Sequence, residues 1–164
     1  MSRFPIRQVA VLGAGVMGAQ IAAHLTNCQV PVLLFDLPAK EGGKNAIVHK
    51  ALANLQKIKP APLGVAADAA LIQAANYDED LDKLRACDLI IEAIAERLDW
   101  KESLYQKIAP FIAEHAILAT NTSGLSINSL ASVLPAQLQS RFCGIHFFNP
   151  PRYMSLVEII PTSH

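Results

Sequence analysis

Two groups of residues in this chain have the types and spacing to do chemistry. The first is Gly13-Ala14-Gly15-Val16-Met17-Gly18, followed 18 residues later by Asp36. An apolar, β-branched run stands before the glycines and a helix-forming run after them. In that setting Gly13 permits a tight turn, Gly15 lets backbone approach a pyrophosphate, and Gly18 lets a helix pack closely on a strand. A helix opening at Val16 and Met17 offers N–H groups and partial positive charge to phosphate. Asp36 closes the next apolar run, where a carboxylate can accept from both ribose hydroxyls. The same carboxylate repels a 2′-phosphate, and no arginine follows it in Leu37-Pro38-Ala39. The expected cofactor is therefore NAD rather than NADP. The plainer alternative, a tight strand–helix turn without a ligand, leaves Asp36 unexplained.

The second group is His146 with Glu158. His146 lies in Gly144-Ile145-His146-Phe147-Phe148-Asn149-Pro150, an apolar run of strand character with no neighbouring acid. A second strand-like run, 155–160, follows almost at once. A turn centred near Arg152 pairs the two runs antiparallel, and positions 146 and 158 are equidistant from 152. Glu158 is then expected opposite His146, where it orients the imidazole and stabilises its protonated form. A carboxylate inside Leu156-Val157-Glu158-Ile159-Ile160 has no other evident reason to be there. A base held by a carboxylate beside a nicotinamide site is what alcohol oxidation requires, since the base takes the hydroxyl proton as hydride leaves the same carbon. Residue types alone also admit a structural histidine satisfied by a glutamate.

The elements that must position these groups follow from periodicity. Strands are expected at 8–12, 30–36, 72–76 (weak), 88–93, 116–120, 142–148 and 155–160. Helices are expected at 16–27, 45–57, 66–73 (short, running into the weak strand), 97–114 despite Pro110, and 127–133. Strands alternating with helices at this spacing imply an α/β fold with a doubly wound, parallel sheet. Met17 and His24 are expected to pack against that sheet. No Tyr-x-x-x-Lys occurs, which argues against the short-chain dehydrogenases.

Composition fits one domain, residues 1–164. Apolar residues are 52% and charged residues 17% of the chain, which excludes disorder and suits a sheet buried on both faces. The formal net charge is zero, so no nucleic-acid partner is expected. Cys28, Cys87 and Cys143 are odd in number and form no CxxC. They read as reduced, mostly buried thiols of a cytoplasmic protein, and no metal site is expected. Between Arg7 and Asp36 there is no charged side chain, but Gly13, Gly15, Gly18, Asn27 and Pro31 interrupt the apolar pieces. No membrane span or leader is expected from them.

The motifs VLGAGVMGAQIA, Asp36, IIEAIAE, ATNTSGLSI and GIHFFNPPRYMSLVEII together closely resemble the NAD-binding domain of the 3-hydroxyacyl-CoA dehydrogenases of fatty-acid β-oxidation. The resemblance runs from about residue 7 to 161. The segment NLQKIKPAPL is similar to bacterial multifunctional members whose dehydrogenase region comes first. The resemblance implies a Rossmann-type, mostly parallel sheet with an antiparallel strand at its C-terminal edge. It implies His146 as catalytic base and Glu158 as its orienting partner. Ser123 and Asn149 would hydrogen-bond the substrate oxygen or the nicotinamide region. Glu96 and Lys101 would contact cofactor or bound substrate, although as residues they read equally as a solvated helix face. Glu92 reads as structural.

Members of that family continue into a helical domain that closes the acyl-CoA cleft and provides most of a homodimer contact. No such region is visible in these 164 residues, so apolar surface is expected near Phe147, Tyr153 and Ile160, and little turnover by the chain alone. Two rival readings are a non-catalytic NAD-binding module and a dehydrogenase of the same fold acting on another hydroxy acid.

Overall fold

Alternation along the strands decides how the molecule is layered. In the computed structural model, which describes residues 4–163, the strands are β1 (Val9–Leu12), β2 (Val32–Asp36), β3 (Ile72–Asn76), β4 (Leu89–Glu92), β5 (Ile117–Thr120), β6 (Phe142–Phe147) and β7 (Val157–Pro161). The helices are α1 (Val16–Asn27), α2 (Ala46–Leu55), α3 (Leu98–Ile108), α4 (Ile127–Ser132) and α5 (Ala136–Gln139). Val9 and Val11 of β1, with Val32, Leu34, Leu89 and Ile91, pack against α1 and α2. Ala10 and Leu12, with Leu33, Phe35, Ile90 and Leu118, face the opposite way onto α3, α4 and α5. The central strands are thus apolar on both faces, as a parallel sheet covered by helices on both sides requires. Each fully buried Leu, Ile or Val side chain contributes about 1.5–3 kcal/mol.

The sheet order is β3-β2-β1-β4-β5-β6-β7. All neighbours run parallel except β7, which turns back antiparallel along β6 with His146 opposite Glu158. The pairing expected from a turn centred at residue 152 is the one observed. The parallel strands place their C-terminal ends along one edge, and Gly13, Gly15, Asp36, Glu96, Ser123, His146 and Asn149 lie at or just beyond such ends, whereas Lys101 is on α3 and Glu158 on β7.

Several expectations need correction. The helix expected over 97–114 ends at Ile108 and tightens into a 3-10 turn at Ala109–Phe111, because Pro110 supplies no backbone N–H. Short turns at Leu81–Ala86 and α5 carry too few residues to show a period. Phe147, expected at the surface, is buried against the α1 side of the sheet, whereas Tyr153 and Ile160 are exposed. Cys87 is buried, which pushes its thiol up to about 12, but Cys28 is exposed.

Asp88, just before β4, anchors the entrance to the sheet. Its carboxylate accepts from the backbone N–H of Arg7 (2.7 Å) and Gln8 (3.3 Å), and lies 3.2 Å from Nε2 of His115. The Arg7 N–H above all, then the Gln8 N–H, the Arg7 guanidinium and His115, hold the Asp88 carboxyl below the usual carboxylate range, against the opposing effect of burial. Because the folded value is depressed, this stabilisation is complete above the unfolded value near pH 4 and is lost as pH falls through the folded value. Asp88→Asn is expected to lower the urea midpoint at pH 7 and to flatten its decline below about pH 4. Parallel pH profiles for variant and wild type would contradict this assignment.

Candidate functional site: a dinucleotide cleft beside a histidine–carboxylate pair

The cleft begins where β1 gives way to α1. Gly13 adopts φ +106, and a side chain there would meet the Ala93 carbonyl oxygen at 2.8 Å. A Cβ on Gly18 would lie 1.8 Å from the Gly13 carbonyl oxygen, so the helix can approach the turn only without one. Around Gly15 the space is open, with nothing within 4 Å of the Cβ it lacks. The α1 N-terminus has no side-chain cap and no acidic residue in its first turn, which leaves its N–H groups directed at whatever enters. Val16 opens the helix at the surface, and Met17 packs half-buried against the sheet. His24 also packs there, edge-on to Phe147.

Asp36, at the end of β2, accepts from the Ala14 N–H (2.6 Å) through one oxygen and from the Leu37 N–H (2.7 Å) through the other. It thereby fixes the glycine turn and faces the same cavity, which has a volume of about 550 Å³. That size lies within the roughly 300–1,000 Å³ usual for cofactor sites. The open glycine, the uncapped helix and the carboxylate fit a dinucleotide. NAD carries no phosphate at the hydroxyls that Asp36 would receive.

The second part of the site hangs from β4, β5 and β6. Glu96, in the loop after β4, accepts from Oγ1 of Thr122 (2.5 Å) and from the Ser123 N–H (2.8 Å). Ser123 Oγ lies 3.0 Å from Nε2 of His146, whose Nδ1 lies 2.8 Å from Oε2 of Glu158. A carboxylate only accepts, so Nδ1 carries a proton, and Nε2 of the neutral ring is left as the acceptor facing Ser123. Oδ1 of Asn149 accepts from Nε2 of the buried Gln20 (3.3 Å), which leaves the Asn149 amide N–H groups to point elsewhere. Asn121 Oδ1 takes the Phe147 N–H (2.9 Å) and ties β6 to β5.

Lys101 is the correction here. It does not line the cleft and is not a solvated helix residue: it is 1% exposed, and its ammonium sits 2.6 Å from the fully buried Glu92. Glu92 also accepts from the hydroxyls of Tyr105 and Thr120 (2.8 Å each) and from the Ile94 N–H (2.8 Å). Burial first, and then the Glu92 charge, push the Tyr105 hydroxyl well above its ordinary range, so it stays a donor. Sequence reasoning did not find Thr122 or Gln20. Thr122 adjoins Ser123 and could have been suspected from that alone, whereas nothing marks Gln20.

A doubly wound sheet with a glycine-rich first crossover, closed by a carboxylate after the second strand, defines a dinucleotide-binding domain. The chain matches the 3-hydroxyacyl-CoA dehydrogenase NAD-binding domain over residues 8–164 and belongs to that family; its cofactor is NAD. A Rickettsia felis protein named "Putative fatty acid oxidation complex trifunctional enzyme" is 47% identical over 94% of this chain, which spans 22% of that protein. A Deinococcus radiodurans protein named "Probable 3-hydroxyacyl-CoA dehydrogenase" is 42% identical over 96% of this chain and 46% of its own length. The crystal structure of 3-hydroxybutyryl-CoA dehydrogenase from Escherichia coli K12 superposes with a TM-score of 0.77 at 30% identity, over 94% of this chain and 32% of that one. The chain thus spans a fifth to a half of these relatives. Among the described residues no helix is long and apolar enough to cross a membrane.

Removing one partner of a buried ion pair leaves the other charge uncompensated, at a cost of about 3–5 kcal/mol. Lys101→Met is expected to destabilise the chain by that amount in urea unfolding. The double variant E92Q/K101M should recover part of the loss, because glutamine keeps an acceptor without the charge. A Lys101→Met protein of unchanged stability would show that the ammonium does not neutralise Glu92.

Proposed function

We propose that this chain is the NAD-binding, proton-accepting part of an enzyme that oxidises (3S)-3-hydroxyacyl-CoA to 3-oxoacyl-CoA in fatty-acid β-oxidation. The observation that carries the reading is His146, held at Nδ1 by Glu158 and presenting Nε2 toward Ser123, on the same C-terminal edge of the parallel strands as the glycine turn and Asp36. NAD+, when bound, supplies the hydride acceptor. Nε2 takes the substrate hydroxyl proton, and the imidazolium that forms is stabilised by Glu158 at 2.8 Å. Ser123 Oγ and the Asn149 amide bond the substrate oxygen or the nicotinamide region. Glu96 contributes by fixing Thr122 and Ser123 in place.

A non-catalytic NAD-binding module would use Asp36 and the glycines but has no use for His146, Glu158, Ser123 and Asn149 in one place. The whole-enzyme reading also includes a helical domain that follows this one and closes the acyl-CoA cleft. Tyr153, Leu156, Val157, Ile159 and Ile160 are exposed along β7 and its approach, and are the surface we assign to that domain. A homodimer formed through the helical domain and a cytoplasmic location belong to the same reading.

The test follows NADH absorbance with acetoacetyl-CoA, using this chain alone and a fusion in which this chain replaces the matched region of the Rickettsia felis relative. The fusion is expected to consume NADH and the chain alone to do so slowly. His146→Ala in the fusion should lower the rate by about 10²–10⁴, the usual contribution of a positioned base. Equal rates with and without His146 would reduce it to a structural residue.

A further inference from the structure

Ser123, His146 and Glu158 stand in a row whose order is that of a nucleophile, its base and the group that orients the base. Ser123 Oγ lies 3.0 Å from Nε2 of His146, and Nδ1 of the same ring lies 2.8 Å from Oε2 of Glu158. With the ring proton on Nδ1, facing the carboxylate, Nε2 is the acceptor and the Ser123 hydroxyl the donor. A hydroxyl bonded to an imidazole that a carboxylate orients is the arrangement that activates serine for attack on a carbonyl carbon. A structural role explains it poorly, because Ser123 is exposed and water can serve both its hydroxyl and Nε2.

The loop that carries the hydroxyl is braced on both sides. Glu96 accepts the Ser123 N–H at 2.8 Å, and Thr122 Oγ1 donates to Glu96 while accepting the Leu125 N–H at 3.2 Å. Ser123 and Gly124 therefore form a fixed, exposed tip. Among the described residues the Gly124 N–H donates to no group, and nothing lies within 4 Å of the Cβ that this glycine lacks. A free N–H directly after a nucleophilic serine is one of the donors an oxyanion needs. The Asn149 amide, just beyond the neighbouring strand β6, supplies another, since its oxygen is taken by Gln20 at 3.3 Å and its N–H groups are not.

We propose that Ser123 is a nucleophile toward acyl thioesters, which gives the chain a slow, NAD-independent thioester hydrolase activity. Nε2 of His146 takes the Ser123 proton as Oγ bonds to the acyl carbon, and Gly124 and Asn149 receive the oxyanion. Collapse breaks the C–S bond, and the imidazolium returns its proton to the departing thiolate. Water then attacks the acyl–serine ester, losing a proton to the same Nε2, which passes it to Oγ as the acid leaves. Thioester and water become acid and thiol, with nothing oxidised or reduced. The proposal goes beyond the dehydrogenase reading and does not rest on it, since it uses no cofactor and no residue of the glycine turn.

The test uses this chain carrying Cys28→Ser, because the exposed thiol would itself be acylated. The probe is p-nitrophenyl thioacetate, whose coloured leaving thiolate reports each event without any contact to CoA. Thiolate release in the absence of NAD is expected, with the acetyl group found on Ser123 by peptide mass mapping. Ser123→Ala should abolish both, and His146→Ala should slow release about a hundredfold or more, the low end of what a positioned base contributes. Glu158→Gln should lose as much while circular dichroism shows it folded. An amide N–H facing Nδ1 moves the ring proton to Nε2 and removes the base. Unchanged release from Ser123→Ala, or acetyl on His146 in place of Ser123, would overturn the proposal. So would a folded parent chain that releases no thiolate above the buffer rate. None of these results touches the dehydrogenase reading, which NADH consumption in the fusion decides.

Discussion

A carboxylate with no access to solvent, Glu92, is the constraint on which much of the site depends. A buried charge persists only if its oxygens are fully engaged, and four donors engage these: the Lys101 ammonium, the Tyr105 and Thr120 hydroxyls and the Ile94 N–H. They come from α3, from β5 and from the loop after β4. The charge therefore ties three elements together at the carboxyl ends of the strands. The loop fixed through Ile94 carries Glu96 two residues later, and Glu96 in turn fixes Thr122 and Ser123. Ser123 is the residue against Nε2 of His146. A satisfied buried charge is thus connected to the imidazole through hydrogen bonds and the two-residue backbone link from Ile94 to Glu96.

The other half of the geometry comes from β7. A strand added parallel to β6 would need a long crossover; the short turn after Asn149 allows only a return in the opposite direction. That return sets Glu158 directly opposite His146 and leaves β7 at the edge with apolar side chains exposed. The imidazole is consequently held from two sides, by Glu158 on the edge strand and by Ser123 at the end of β5. The exposed edge and the acceptor geometry at His146 are two consequences of one turn.

Most of the sheet was legible because its strands are short, almost wholly apolar and punctuated by glycine, proline or a carboxylate. The cofactor turn was legible for a steric reason: only glycine fits at 13 and 18, so the residue type reports the backbone directly. The pairing of His146 with Glu158 could be read because an antiparallel turn conserves the sum of paired positions. Lys101 could not be read, since a lysine at the start of an amphipathic helix gives no sign of whether it faces water or a buried glutamate nine residues back. Phe147 failed for the related reason that strand alternation does not say which face a neighbouring helix covers.

By itself the sequence determined the glycine turn, the carboxylate at the end of β2, the alternating α/β order and the register that sets His146 against Glu158. Each of these rests on local sterics or on a spacing rule within one turn. Tertiary structure alone decided that Lys101 neutralises Glu92, that Glu96 holds the Thr122–Ser123 loop and that Gln20 takes the Asn149 oxygen. Those contacts join segments brought together by the winding of the sheet, and their partners depend on the rotation of each helix against it, which residue types do not encode.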